Sequence, residues 1–390
     1  MRRLSQLVLA SALIAPLAAP LAAQAPSPLT AELERRMGAV MPKVVAWRRD
    51  IHEHPELSGQ EERTARLVAE HLRALGMEVR TGVGGHGVVG VLRGGRPGRT
   101  VALRADMDGL PVTEQVDLPF RSRVRATYNG QEVGVMHACG HDNHVAILMG
   151  TAELLAGMKA QLPGTVVFIF QPAEEGHPDG GGGAERMIAD GVMDNPKIDA
   201  IFGLHVWSGK LGEITYRPGP TMAASNAYRI TVHGRQTHGA NPWGGIDPIV
   251  VGSQIVMGLQ TIISRQTDIT AIPAIVTVGQ FQAGVRNNII PDSAVLIGTI
   301  RTFSDAQKSD IFRRVQSTAQ HIAMASGARV EVKIDSGYIV TRNDEALTAR
   351  MLPTLERAAG RDNVQLAPLA TGAEDFSYFQ ARVPGLFIFL

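Results

Sequence analysis

Hydrophobic and polar positions repeat along this chain with two periods, and the switches between them outline the fold. Apolar positions at helical spacing predict a helix over about residues 30–51. Ser58 followed by Glu61 has the spacing of a capping box, so a second helix is expected through Leu67, Ala69, Leu72 and Leu75, stopping at Gly76. Three strand-like runs follow at 77–83, 88–92 and 100–105, separated by glycine-rich turns. A helix is predicted over 143–158. Residues 165–170 form a continuous apolar run, as a strand buried on both faces requires, and 200–204 read the same way. Strands alternating with helices predict an α/β domain, a mainly parallel sheet flanked by helices.

From about Met222 the texture changes. The pattern gives a strand at 227–232, a helix at 247–265, strands at 275–281 and 294–302, a second capping box of Ser304 with Gln307 opening a helix to about Ala325, and a strand at 330–334. That β-α-β-β-α-β order describes a compact ferredoxin-like α+β unit. The α/β texture resumes with a helix over 345–359. Residues 26–221 and 334–390 are therefore read as one discontinuous domain, with 222–333 inserted into it. The run from Pro384 to Leu390 looks like a turn and a buried strand. A core strand rarely closes a chain without a polar residue after it, so the chain is expected to continue in the full protein.

The first 25 residues belong to neither texture. Arg2 and Arg3 precede an apolar stretch from Leu7 to Ile14 and then small residues with Pro16 and Pro20, the make-up of a secretory signal peptide. Export to the periplasm or medium is the expectation. No later stretch is apolar enough to span a bilayer. The 390 residues suit two or three domains at roughly 150 residues each. With 44% hydrophobic and 19% charged residues, the chain is neither disordered nor polytopic. Thirty-eight basic side chains against 37 acidic ones give no basis for nucleic-acid binding, and removal of Arg2 and Arg3 lowers the balance by two charges.

Candidate chemistry is concentrated at predicted strand ends. The densest cluster is His137-Ala138-Cys139-Gly140-His141-Asp142-Asn143-His144, where Cys139 and His141 can converge on a zinc-like ion if a loop leads into the helix. A lone cysteine by itself reads as a buried bystander, and only the clustering puts ligation ahead. His137 and His144 are expected to pack or to orient ligands rather than bind metal. Gln171-Pro172-Ala173-Glu174-Glu175-Gly176 follows a buried strand, where α/β sheets gather their sites. Adjacent carboxylates there repel unless a cation neutralises one, leaving the other to handle protons for a bound water. Arg104-Ala105-Asp106-Met107-Asp108 and Gly203-Leu204-His205-Val206-Trp207 close two more strands. His238, Asn288 and Arg301 in the inserted unit read, on spacing alone, as ordinary loop and surface residues.

Taken together, these segments resemble the co-catalytic metallopeptidase superfamily of aminoacylases and carboxypeptidases. Within it the chain is similar to the amidohydrolase branch of hippurate hydrolase and the indole-acetyl-amino-acid hydrolases. The resemblance rests on residues 47–56, 103–110, 136–144, 171–176, 203–206, 234–238, 288–292 and Gly372-Ala373-Glu374-Asp375-Phe376. It implies a catalytic domain holding two divalent metal ions, zinc or manganese first among candidates, interrupted by a lid that forms a homodimer. By position, Cys139 would bridge the metals, His141, Glu175 and His205 would be further ligands, and Glu174 the general base. His238 would reach a partner's site as an oxyanion donor. Asn288 and Arg301 would hold the substrate's carboxylate, with the Gly372 loop nearby. The implied reaction is hydrolysis of N-acyl amino acids to a carboxylic acid and a free amino acid.

One departure stands out. The family pattern has a further metal-binding histidine near the end, and no histidine follows His321 here. Truncation, another way of holding the second metal, or an inactive protein would each account for it. The competing functions are a metallo-dipeptidase or carboxypeptidase on the same centre, a non-catalytic periplasmic binder of acylated amino acids, and a hydrolase with Cys139 as nucleophile.

Overall fold

The computed structural model describes residues 28–390; the expected signal peptide at 1–25 lies outside the described residues. Helices α1 (Pro28–Glu53) and α2 (Glu62–Ala74) precede strands β1 (Glu78–Val83), β2 (Gly87–Arg93) and β3 (Arg96–Asp106). A hairpin of β4 (Arg125–Tyr128) and β5 (Gln131–Gly134) leads to α3 (His141–Ala156). Then come β6 (Pro163–Gln171), α4 (Gly183–Ala189), β7 (Ala200–His205), β8 (Ile214–Tyr216) and β9 (Gly219–Met222). The inserted unit contains β10 (Ala224–His233), β11 (Thr237–His238), α5 (Pro248–Gln266), β12 (Ile275–Ala283), β13 (Ile289–Ile290), β14 (Ser293–Thr302), α6 (Asp305–Ala325) and β15 (Arg329–Ser336). The chain closes with β16 (Thr341–Asn343), α7 (Glu345–Ala359), β17 (Val364–Leu366), α8 (Phe376–Gln380) and β18 (Gly385–Phe389).

The main sheet has eight strands in the order β1-β2-β6-β3-β7-β18-β8-β17. Its centre, β6-β3-β7-β18, is parallel. The apolar run in β6 is continuous because alternate side chains enter different cores. Phe168 and Phe170 pack on one face with Leu72, Val145 and Met149. Val167 and Ile169 pack on the other with Met187, Phe376 and Phe387. With helices on both faces, the one free place for polar groups along the central strands is their carboxyl ends.

The small unit has a four-stranded antiparallel sheet, β12-β14-β10-β15, and its own core. Ile230, Val232 and Leu296 from the sheet meet Ile255 and Leu259 of α5 and Val315 of α6 there. Half of the second capping box forms: Ser304 Oγ accepts from Gln307 N at 3.2 Å, while Gln307 Oε1 accepts from Phe303 N at 3.1 Å, one residue before the cap. The first does not. Ser58 Oγ donates to Asp108 Oδ2 at 2.6 Å, and Glu61 Oε1 accepts from Gly59 N and Ala173 N, both at 2.8 Å. The demand of a buried carboxylate and a buried turn takes Ser58 and Glu61 away from capping, and the start of α2 is capped instead by Glu56, whose Oε1 and Oε2 accept from Arg63 N at 2.7 Å and Thr64 N at 2.9 Å. No helix among the described residues is long and apolar enough to cross a membrane.

Candidate metal centre and its carboxylate

Parallel pairing sets Asp106 beside Gln171 and brings the ends of β3, β6 and β7 to one place. Helix α3 starts there as well, two residues earlier than the pattern predicts. Gly140 makes the approach possible. Its φ is +89°, and a Cβ at this position would lie 2.3 Å from Val206 Cγ2, so only glycine lets Cys139 and His141 turn toward each other.

The ligand atoms of Cys139, His141 and His205 lie within 4.8 Å of one another, as do those of His141, Glu174 and Glu175. Cys139 Sγ is 3.4 Å from His205 Nε2. His205 Nδ1 donates to Val206 O at 2.6 Å, which leaves Nε2 as an unprotonated acceptor facing the thiol. Burial first, then His144, lowers the His205 pKa to about 4, so the ring stays neutral as a ligand must. His141 Nδ1 is committed to Asp108 Oδ1 at 3.1 Å, while its Nε2 is buried with no hydrogen-bond partner. Such an orphan costs about 1–3 kcal/mol, and a metal ion on that lone pair removes the cost. Sulfur, imidazole and carboxylate donors converging on one spot suit zinc or manganese, and these residues fit the group.

His144 behaves as expected. Its Nδ1 lies 2.5 Å from Asp106 Oδ1 and its Nε2 accepts from Val206 N at 2.9 Å, so no lone pair is left to bind metal. His137 is buried with neither ring nitrogen hydrogen-bonded, and burial lowers its pKa to about 4.

Glu174 is buried beside the candidate ligands His141 and Glu175. Burial, followed by the neighbouring carboxylates of Glu374 and Asp375, holds its carboxyl well above the usual range. Its aim is set by the main chain. Ala173 is one of two non-glycine residues at positive φ (+50°) among the described residues, a conformation that persists only where surroundings impose it. Ala173 N donates to Glu61, Ala173 O accepts from Gly183 N at 2.9 Å, and Glu175 N donates to Asp108 Oδ2 at 2.9 Å. The hydroxyl of Tyr338 donates to Glu174 O.

Beneath this turn lies a buried charge network that spacing did not reveal. Arg104 reaches Asp106 Oδ2 at 2.6 Å and both Glu374 Oε1 and Asp375 Oδ1 at 2.9 Å. Its Nε donates to Gln171 Oε1 at 2.8 Å. Arg104, Asp106, Asp108, Glu374 and Asp375 stood in noted motifs without an assigned role. Glu61 had been assigned a different one, and Tyr338 carried no signal.

The residues of the small unit are placed differently. His238 on β11 is exposed, and its Nδ1 accepts from Ala240 N at 3.0 Å. Pairing of β11 with β13, and the bond from Gly239 N to Asn288 O at 2.8 Å, bring His238 and Asn288 together. Arg301 sits on β14 between Ser225 and Ile275. Gly372 O accepts from Ala223 N at 2.9 Å, at the entrance to the small unit. Among the described residues, no hydrogen bond or ion pair links His238, Asn288 or Arg301 to the Cys139 cluster.

The model of peptidase family M20/M25/M40 matches residues 102–390, covering the whole of this site. The chain belongs to that family. A thermostable carboxypeptidase 1 of Saccharolobus solfataricus is 44% identical over 354 residues, 89% of this chain and 85% of that protein. An N-acyl-L-amino acid amidohydrolase of Geobacillus stearothermophilus is 41% identical over 311 residues, 79% of this chain and 80% of that protein. Among solved structures, the Bacillus subtilis YXEP protein, described as a dinuclear metal-binding peptidase of family M20, superposes with a TM-score of 0.75. It is 35% identical, over 90% of this chain and 89% of its own.

Proposed function

We propose that this M20-family chain is a metal-dependent amidohydrolase that cleaves N-acyl amino acids to a carboxylic acid and a free amino acid. The observation that carries the reading is the juxtaposition of an orphaned His141 Nε2, the Cys139–His205 pair and the buried Glu174 carboxyl. The kinship with an N-acyl-L-amino acid amidohydrolase supports the substrate class.

Cys139, His141, Glu175 and His205 would hold two divalent ions, zinc or manganese. When bound, such ions polarise an amide carbonyl and acidify water. Glu174 takes a proton from the attacking water and delivers it to the departing nitrogen, so the bond to carbon is replaced by C–O and the amine leaves neutral. A carboxyl held above its ordinary range by burial, Glu374 and Asp375 suits both halves of that transfer. His238 stabilises the developing oxyanion. Asn288 and Arg301 hold the carboxylate of the amino-acid half, with the Gly372 loop beside them. The exposure of His238 on β11 supports a role across a homodimer. The exposed Val250 and Met257 on one face of α5, and Phe281 on the edge strand β12, offer an apolar surface for that dimer. The Arg2-Arg3 and apolar leader supports export.

The carboxypeptidase relative favours a second reading, in which the acyl group is itself a peptide. Release of amino acids from N-acyl amino acids and from peptides, with and without chelator, separates the two by substrate. Glu174→Gln tests the mechanism: metal content is retained and amino-acid release falls by about a thousandfold. Activity near wild type in that variant would remove Glu174 as the base.

A further inference from the structure

We infer that Tyr338 is a positioning residue for the reaction, tying the aim of Glu174 to the seating of the small unit. The inference rests on Glu174 being the base. Tyr338 lies between β15 and β16, where the chain returns from the small unit. Its hydroxyl donates to Glu174 O, while its own carbonyl accepts from Ser225 N at 2.9 Å, at the start of β10 where the chain enters that unit. One residue therefore touches both connections and the turn that carries the base.

The surroundings hold it there. A Cβ on Gly337 would lie 2.5 Å from Ser225 O, so the two connections run in backbone contact that a larger residue would break. Gly337 O accepts from the Tyr378 hydroxyl at 3.3 Å, and the Tyr378 ring stands edge-on to Tyr338 at 6.2 Å. A Cβ on Gly182 would lie 2.9 Å from the Tyr338 hydroxyl oxygen and 2.6 Å from Asp375 Oδ2. The hydroxyl is thus packed near the Asp375 carboxylate, and its proton goes to Glu174 O.

Glu61, Gly183 and Asp108 hold the turn from the main-sheet body, Asp375 N from the same body donates to Glu174 Oε1 at 3.4 Å, and of these partners Tyr338 alone belongs to a connection. Rotation of the small unit about its two connections carries the Tyr338 main chain with it. The hydroxyl passes that displacement to Glu174 O, one residue after a backbone already at φ +50°. A small misplacement of a proton-transfer group is expensive in rate and cheap in stability.

The test is Tyr338→Phe, which keeps the ring and removes one oxygen. The expected result is a fall in kcat of about tenfold, KM within about twofold, and unchanged metal content and Tm. In a Glu174→Asp background, whose shorter side chain is already misplaced, adding Tyr338→Phe changes kcat less than about twofold. Tyr378→Phe, which touches Gly337 but not Glu174, leaves kcat as it was. Wild-type kcat in Tyr338→Phe, equal fold-losses in both backgrounds, or a loss that tracks a fall in Tm would each overturn the inference. The reading of Glu174 fails separately, if Glu174→Gln and Glu174→Asp both keep wild-type kcat.

Discussion

At the carboxyl ends of β3, β6 and β7, charged groups are buried and answered by one another; on the small unit, His238 is exposed and Arg301 makes no ion pair among the described residues. Asn288 Oδ1 is buried there without a partner. In the first region most charged groups find partners within the chain, and His141 Nε2, both ring nitrogens of His137 and Glu61 Oε2 are left without one among the described residues. The second offers side chains with nothing of their own to act on. The difference teaches where preorganisation resides: Glu174 and the proposed metal donors are fixed by folding, whereas the residues proposed for the oxyanion and substrate would become useful only against another surface.

The largest effect should come from breaking the buried network. Arg104→Met leaves Asp106, Glu374 and Asp375 without their shared cation. Removing one side of a buried ion cluster costs roughly 3–5 kcal/mol, read as a lower urea midpoint. A midpoint within error of wild type would mean that the acidic groups are neutral without Arg104, and that this region is less fixed by charge than the geometry suggests.

Next comes the donor set. Cys139→Ala should weaken metal binding by about a hundredfold or more, measured as metal per chain after dialysis, and take activity with it. The same measurement bears on Cys139 as a nucleophile. If the thiol is a ligand, alkylation is slow in metal-loaded protein and fast after chelation. Rapid alkylation of the loaded protein, with activity indifferent to chelator, would favour the nucleophile.

His238→Ala addresses the other side of the comparison. Activity should fall by about a hundredfold with metal content and Tm unchanged, since an exposed ring adds little to stability. Mixing His238→Ala chains with Glu174→Gln chains gives the sharper outcome. If His238 serves a partner's site, one site of each mixed dimer regains both residues and activity returns. No recovery in a demonstrated mixed dimer would place His238 in its own chain's site, or outside the chemistry.

These contrasts also explain what could be read from the sequence. The place of the site was visible because Cys139 and His141 sit in one short motif and because Glu174, Glu175 and His205 follow buried strands whose ends must meet, whereas the separate roles of Glu174, Glu175 and His205 came from the family resemblance. The Arg104 network was not, since Arg104 and Glu374 are 270 residues apart and nothing local couples them. The inserted β-α-β-β-α-β unit was legible from its change of period. Ser58 and Glu61 were misread because a capping box and a pair of buried hydrogen bonds share the same spacing, and tertiary demand decided between them.

Glu61 itself gives the most specific expectation, read at one site across a pH range. It is buried, and burial together with the nearby Asp108 carboxylate pushes its pKa up to about 8. A carboxyl that ionises near 4.5 when unfolded and near 8 when folded keeps its proton on folding between those values. Folding stability therefore falls as pH rises through that window, by at most about 1.4 kcal/mol per pH unit, and levels off above about 8. Glu61→Gln keeps an oxygen for Gly59 N and Ala173 N but has no proton to lose. The variant should match wild type at pH 4.5 and grow more stable relative to it toward pH 8, followed as the difference in Tm across that range. A difference that stays flat with pH would show that Glu61 holds the Ala173 turn as an anion across the whole range.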